Sequence, residues 1–425
     1  MSDTASNTGE DEPTEDVAPD EPAQLPLLAE PTDGVPDTLT TSAELTALIA
    51  AMGAGHGPLA VDAERASGYR YSQRAYLVQL RREGVGTVLI DPIELPALAG
   101  LNAVIGDTAS EPPEWILHAA NQDLPCLAEI GLRPATLFDT ELAGRLLGVE
   151  RVALGTMVEQ HLGVRLEKGH SAADWSTRPL PHDWLVYAAL DVELLVQLRD
   201  VLAGLLEDAG KLDWAHQEFE AERTAPPPAP RVDPWRRTSG IHKLRGRPQL
   251  GVVRALWYTR DEYAASRDVA PGRILPDSAI IDAARAMPKK SADLGALSVF
   301  GGPRQKRQLG RWFAAIETAL ALPESELPPT AGPATDAVPP AARWRDRDPV
   351  AADRLARGRD VVNALAEEHS VLAQNLLPSD ILRRLAWEPP SVIDGTSVTE
   401  ALTQLGARPW QIELAAVPLT EALKD

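Results

Sequence analysis

GPLAVDAERASG (Gly57–Gly68) is the stretch on which the reading of this chain turns. Its core, Leu59-Ala60-Val61-Asp62-Ala63-Glu64, carries an apolar run straight into two carboxylates. Short, apolar and bounded by glycine, the segment reads as a β-strand. Residues two apart in a strand share a face, so Asp62 and Glu64 project together from its end. Two close like charges repel, and burial drives such groups towards the neutral form. A hard divalent cation such as Mg²⁺ removes the conflict, because it prefers carboxylate oxygens.

Working outward, Ala75–Arg82 (AYLVQLRR) and Gly86–Pro92 (GTVLIDP) read as two more strands. The short Glu83–Gly86 turn between them predicts antiparallel pairing. Glu114–Ala120 (EWILHAA) reads as a buried strand and Asn121–Gly131 as the helix after it. Thr136–Gly148 (TLFDTELAGRLLG) begins with an Asp-Thr cap signal and continues as an amphipathic helix. Pro181–Gly210 repeats apolar residues every three and four positions and predicts one long helix.

More acids fall on these elements. Asp123 follows the buried Glu114–Ala120 strand, where by itself an acid also suits the start of a helix. Tyr187 and Asp191, in Tyr187-Ala188-Ala189-Leu190-Asp191, are spaced i and i+4 on one helix face and can aim at one point. An acid in so apolar a setting as Asp191 needs a partner. Asp139 reads as a helix cap, His118 as a core histidine, Cys126 as simply buried, and Asp91 as the end of a strand. Trp175 and Arg178 read equally as a structural loop or as the wall of a substrate path.

The order and spacing of VDAE, HAANQDL and YAALDVELL resemble the DEDD 3′→5′ exonucleases, in the subgroup with tyrosine in the third motif. Asp174–Val192 (DWSTRPLPHDWLVYAALDV) is especially similar to ribonuclease D. One departure is Ala63, where that family usually has threonine between the two acids. The resemblance implies a ribonuclease H-like α/β fold, a mixed sheet flanked by helices, and two-metal phosphodiester hydrolysis. Asp62, Glu64, Asp123 and Asp191 would then hold two Mg²⁺ or Mn²⁺ ions, and such a pair stabilises both the attacking and the leaving oxygen. Tyr187, whose unperturbed pKa is near 10, would orient the attacking water. Glu64 would contact the 3′-terminal hydroxyl, and the product would be a 5′-nucleoside monophosphate. The substrate implied is the 3′ end of structured RNA such as tRNA precursors; DNA, or a silent relative that only binds RNA, are the alternatives.

The 425-residue chain is net −21, which taken whole argues against a nucleic-acid partner, but the charge is unevenly placed. Residues 1–37 hold 11 acids and no Lys or Arg; residues 231–312 hold 17 Lys or Arg against 7 acids. The acidic, Pro-rich 1–37 segment reads as a disordered tail. Pro-rich stretches at 224–234 and 323–342 read as linkers. They separate an exonuclease unit (38–223) from two small all-α units (235–322 and 343–425). Ala255–Pro288 in the basic unit resembles the HRDC domain. Its nucleic-acid contacts would come from Lys243, Arg245, Arg247, Lys289, Lys290, Arg304, Lys306 and Arg307, which neutralise phosphates and release counterions. The last unit resembles a second HRDC-like region, and is expected to pack on the exonuclease unit and shape its entrance. A single cysteine excludes an intrachain disulfide framework and a multi-Cys zinc site. With no bilayer-length apolar run and no signal-peptide pattern at the N-terminus, a reducing cytoplasm is expected. Trimming at one site needs no dimer, so a monomer suffices.

Overall fold

Strand Leu59–Glu64 lies in the middle of a six-stranded mixed sheet in the computed structural model, which describes residues 25–167, 169–170, 172–332 and 338–424. The strands are β1 (Leu27–Leu28), β2 (Thr38–Leu39), β3 (His56–Arg65), β4 (Ala75–Glu83), β5 (Gly86–Ile90), β6 (Glu114–Leu117), β7 (Thr136–Asp139) and β8 (Arg165–Leu166). The main sheet has the order β2-β5-β4-β3-β6-β7. β3, β4 and β5 form an antiparallel meander, and β6 and β7 add in parallel beyond β3. β3 is interior and covered on both faces, which explains why its apolar residues run on without alternation.

The two faces pack differently. One, through Val61, Ala63, Val78, Leu80 and Ile90, joins the main core with α1 (Ser42–Ala54) and α2 (Ala99–Ile105). The other presents Asp62, Glu64 and Leu77. It is covered by α6 (His182–Glu193), which packs on β3, β4 and β5. α3 (Leu124–Glu129), α4 (Thr140–Leu146), α5 (Leu154–Leu162), α7 (Leu195–Asp208) and α8 (Leu212–Arg223) complete the first unit.

Several boundaries differ from the sequence expectation. Residues 25–37, assigned to the tail, are placed: Leu27 and Leu28 pair with Arg165 and Leu166, and Asp33 meets Arg81 at 3.0 Å. Residues 1–24 lie outside the described residues. Thr136–Phe138, assigned to a helix, is strand β7; the Asp-Thr signal instead marks where the strand hands over to α4. The single helix expected over 181–210 is two, because Leu194 (φ −109°, ψ 4°) leaves helical geometry. Glu193 is buried at that break, 3.3 Å from Arg81.

The second unit contains α9 (Arg247–Arg267), α10 (Pro271–Ile274), α11 (Asp277–Ala286), α12 (Ser291–Gly295), α13 (Pro303–Lys306) and α14 (Leu309–Leu320) around its own core with Trp235, Phe300 and Trp312. The third contains α15 (Trp344–Arg347), α16 (Pro349–Glu368), α17 (Ala373–Leu376), α18 (Ser379–Trp387), α19 (Gly395–Gln404) and α20 (Pro409–Leu423). It shares the first unit's core. Trp410 stacks on Trp214 at 4.7 Å and donates to Glu218, and buried Lys211 donates to the Ser370 carbonyl. Among the described residues, no helix is long and apolar enough to cross a membrane.

Candidate active site

β3 and β6 run in parallel, with Leu59 beside Trp115 and Ala60 beside Ile116, so their C-terminal ends lie side by side. Asp62 and Glu64 end the first strand; the chain leaving the second carries Asp123. That turn is tight. Ala119 takes φ +60°, and a 3₁₀ turn at Ala120–Gln122 leads into α3. Fully buried Asp139 fixes it, accepting from the Ala119 and Ala120 amides (3.2 and 2.6 Å) while capping α4 through Glu141 and Leu142. The reading of Asp139 as a cap therefore covers half of what it does. α6 crosses above and turns Tyr187 and Asp191 inward.

Asp62, Glu64 and Asp191 each offer a carboxylate oxygen, all within 4.8 Å of one another. Asp123 stands outside that trio but lines the same cavity of about 390 Å³, as do Tyr187 and His118. Burial pushes the Asp62 carboxyl up to about 6. Burial first, then the neighbouring acids, push Glu64, Asp123 and Asp191 well above the usual carboxylate range. Burial and the acids likewise push the Tyr187 hydroxyl, which bonds Asp191, far up, so the phenol keeps its proton. His118 Nδ1 is bonded to Thr140 Oγ1 at 2.9 Å, and burial holds the ring below its ordinary pKa. It behaves as a core histidine at the cavity wall. Clustered carboxylate oxygens of this kind, from half-buried Asp62 and Asp191 and buried Glu64, fit hard divalent cations, and no cysteine lines the cavity to favour a softer metal.

Sequence reasoning missed Arg65. Alternation would point it away from Glu64, but the ladder skips a residue there: Glu64 pairs with Leu77 and Arg65 with Ala75. The extra residue, Tyr76, lies on β4, and Arg65 lines the acid cavity, 3.9 Å from Asp123 and 3.5 Å from Gln122. Bulges depend on the partner strand, so nothing local announced it. The loop reading of Trp175 and Arg178 prevails over the substrate path. Trp175 is fully buried, and Arg178 is bidentate to Asp91 (2.6 and 2.9 Å) and donates to the Tyr76 carbonyl.

The basic residues do not form one group. Arg247 is committed to the Glu324, Leu327 and Pro328 carbonyls, so it anchors the segment expected to be a free linker. Lys243, Arg245, Lys289, Lys290 and Lys306 are exposed, and Arg304 and Arg307 line a separate cavity. Among the described residues, none of the third unit lines the acid cavity.

Residues 36–207 match the 3′-5′ exonuclease family, residues 249–316 the HRDC domain, and residues 337–423 the 3′ to 5′ exonuclease C-terminal domain. A ribonuclease D of Acidiphilium cryptum is 33% identical over 66% of this chain and 71% of its own length. The chain belongs to the ribonuclease D family. The crystal structure of a protein from Bifidobacterium adolescentis superposes with a TM-score of 0.85 at 37% identity, covering 94% of this chain and all of that one. Escherichia coli RNase D, described as an exoribonuclease involved in structured RNA processing, gives 0.63 at 26% identity over 87% and 98%. With this membership the chain is a 3′→5′ exoribonuclease and a hydrolase, and its exonuclease unit is metal-dependent.

Proposed function

We propose that Asp62, Glu64, Asp123 and Asp191 hold two divalent ions, Mg²⁺ or Mn²⁺. With them the enzyme removes nucleotides one at a time from the 3′ ends of structured RNA such as tRNA precursors, releasing 5′-nucleoside monophosphates. The observation that carries this reading is the convergence of three carboxylate oxygens within 4.8 Å, with Asp123 in the same cavity. Bound ions would generate the nucleophile at neutral pH and stabilise the charge that develops on the phosphate. The chain's own residues do the rest. The acids stay ionised by sharing cations they cannot do without. Tyr187 keeps its proton, so it orients the attacking water by hydrogen bonding rather than acting as a base. Glu64 receives the terminal 3′-hydroxyl, which selects free ends. Exposed Lys243, Arg245, Lys289, Lys290, Arg304, Lys306 and Arg307 supply phosphate contacts on the basic unit. The cytoplasm is the compartment we infer.

The test compares 5′-labelled RNA with DNA of matched sequence, with Mg²⁺ and with chelator. Stepwise shortening of RNA with release of 5′-monophosphates is expected. It should vanish in chelator, in Asp62→Ala and in Asp191→Asn, while both variants keep RNA binding. Full activity in either variant, or faster shortening of DNA, contradicts the proposal.

A further inference from the structure

A second cavity, of about 340 Å³, opens on the basic unit between the end of α9, α10, α13 and the start of α14. Its walls are Tyr263, Arg267, Val269, Ile274, Arg304, Gln305, Arg307, Gln308 and Trp312. Only the three arginines among them are charged, and among the described residues no carboxylate lines the cavity. None of the three guanidinium groups has a hydrogen bond or ion pair among the described residues, in a chain whose net charge is −21. Asp268, between two wall residues, faces elsewhere: it accepts from the Ser72 amide at 2.9 Å and from Tyr76, and meets Arg74 at 3.8 Å. Three unpaired guanidinium groups around one concavity make an anion site, and their planar forks suit phosphate oxygens.

The walls also say what does not bind. Base stacking needs an open aromatic face. Trp312 is fully buried and donates to Gln305. The Tyr263 ring is covered by the Arg311 guanidinium at 4.0 Å. The cavity is built for the backbone of a nucleic acid, not for its bases.

Its place relative to the acids is fixed by one loop. Ser67, just beyond β3, lines the acid cavity. The next residues dock on the basic unit. Gly68 accepts from Arg273, Tyr69 lies under the same guanidinium at 4.0 Å and accepts from the Ala270 amide, and Tyr71 donates to Asp261. Ser72 holds Asp268, flanked by Arg267 and Val269 of the second cavity. Five residues from Ser67 to Ser72 reach at most about 18 Å, a span that a short single strand covers.

The geometry points to the Arg267–Arg304–Arg307 cavity as a phosphate subsite for RNA a few nucleotides upstream of the 3′ end held among the acids. This rests on the acid cavity being where the 3′ end is cleaved. The subsite grips only substrates long enough to cross the Ser67–Ser72 loop, so it sets a length preference without touching the chemistry.

The experiment uses the full chain with Mg²⁺ and two substrates, a diribonucleotide and an RNA of roughly 15 nucleotides, near the upper site size of single-strand binders. The variant Arg267→Ala/Arg304→Ala/Arg307→Ala should raise KM and Kd for the long RNA at least about tenfold and flatten its log–log salt slope by about 2. It should cleave the dinucleotide like wild type. Arg345→Ala/Arg347→Ala, two exposed cations of the third unit, should leave KM, Kd and the salt slope unchanged. If the triple variant loses its thermal transition, Arg304→Gln alone carries the test at smaller amplitude. Unchanged affinity for the long RNA overturns the subsite, as does equal loss on both lengths or equal loss in Arg345→Ala/Arg347→Ala. Failure of wild type to cleave either substrate would instead overturn the reading of the acid cavity.

Discussion

Replacing Asp62 by Asn should make the metal-free protein more stable and the metal-loaded protein less so. Burial lifts Asp62 from 3.8 to about 6, roughly two units. At about 1.4 kcal/mol per unit, holding Asp62 charged in the folded, metal-free state costs on the order of 3 kcal/mol. A folded-state pKa above the unfolded one gives stability that is complete below the unfolded value and is lost as pH rises through the folded one. The window therefore opens near pH 4 and closes above pH 6, and at pH 7.5 the whole cost is present. Asn keeps the shape and can still accept from the Ala63 amide that now bonds the carboxylate. For a unit of 150–250 residues, 1 kcal/mol moves Tm by about 2–4 °C. The variant should thus melt several degrees above wild type in chelator at pH 7.5, with the gap closing towards pH 4. Adding Mg²⁺ or Mn²⁺ should raise wild type strongly and the variant little, reversing the order, because an ion that binds only the folded state stabilises it by mass action. Thermal melts at two pH values with and without metal read all of this. An Asn variant that melts lower in chelator, or one that gains as much from metal as wild type, would refute the reasoning.

Tyr187→Phe should lower kcat roughly 10²-fold with KM and Tm nearly unchanged, measured by single-turnover shortening of labelled RNA; unchanged kcat would remove the hydroxyl from the mechanism. Arg65 holds down the pKa of Asp62, Glu64 and Asp123, so Arg65→Gln should destabilise the metal-free protein by about 1 kcal/mol at pH 7.5 and by less at pH 5, where the acids are closer to neutral. Denaturant melts in chelator check it, and an equal loss at both pH values would mean Arg65 acts by packing alone. Burial and the facing Asp139 carboxylate push Glu222 up to about 8. Its stabilising contribution is therefore complete below about 4.5 and gone above pH 8, and Glu222→Gln, which mimics the protonated form, should gain on wild type between about pH 4.5 and pH 8. Parallel pH dependences of Tm for the two proteins would contradict that assignment.

The parts of the fold and site that could be read from sequence are those set by local pattern. β3 announced itself by an apolar run between glycines, and Asp62 with Glu64 by the period of two. Tyr187 and Asp191 followed from the period of four on α6, and the Asp139 cap from its dipeptide. What stayed hidden depends on partners far along the chain. β7 is only four residues and merges with the cap of α4, so its strand character comes from Glu114–Leu117 beside it. The break at Leu194 accompanies an ion pair between Glu193 and a residue over a hundred positions away. Arg65 reaches the acids at the point where β3 and β4 slip register by one residue. Arg247 looked like any other cation of the basic unit until carbonyls at 324, 327 and 328 occupied it. Arg267 had no signal at all: it becomes a neighbour of Arg304 and Arg307 only when α9 and α13 pack around Trp312.

The central claim is that four acids from β3, the turn after β6, and α6 hold a pair of divalent ions. A crystal of the protein soaked in Mn²⁺, read by anomalous difference density, tests it most directly. The account predicts two peaks, both bounded by oxygens of Asp62, Glu64, Asp123 and Asp191, and the weakening of at least one in Asp191→Asn. Absence of density among these four carboxylates, with manganese bound elsewhere on the chain, would contradict it.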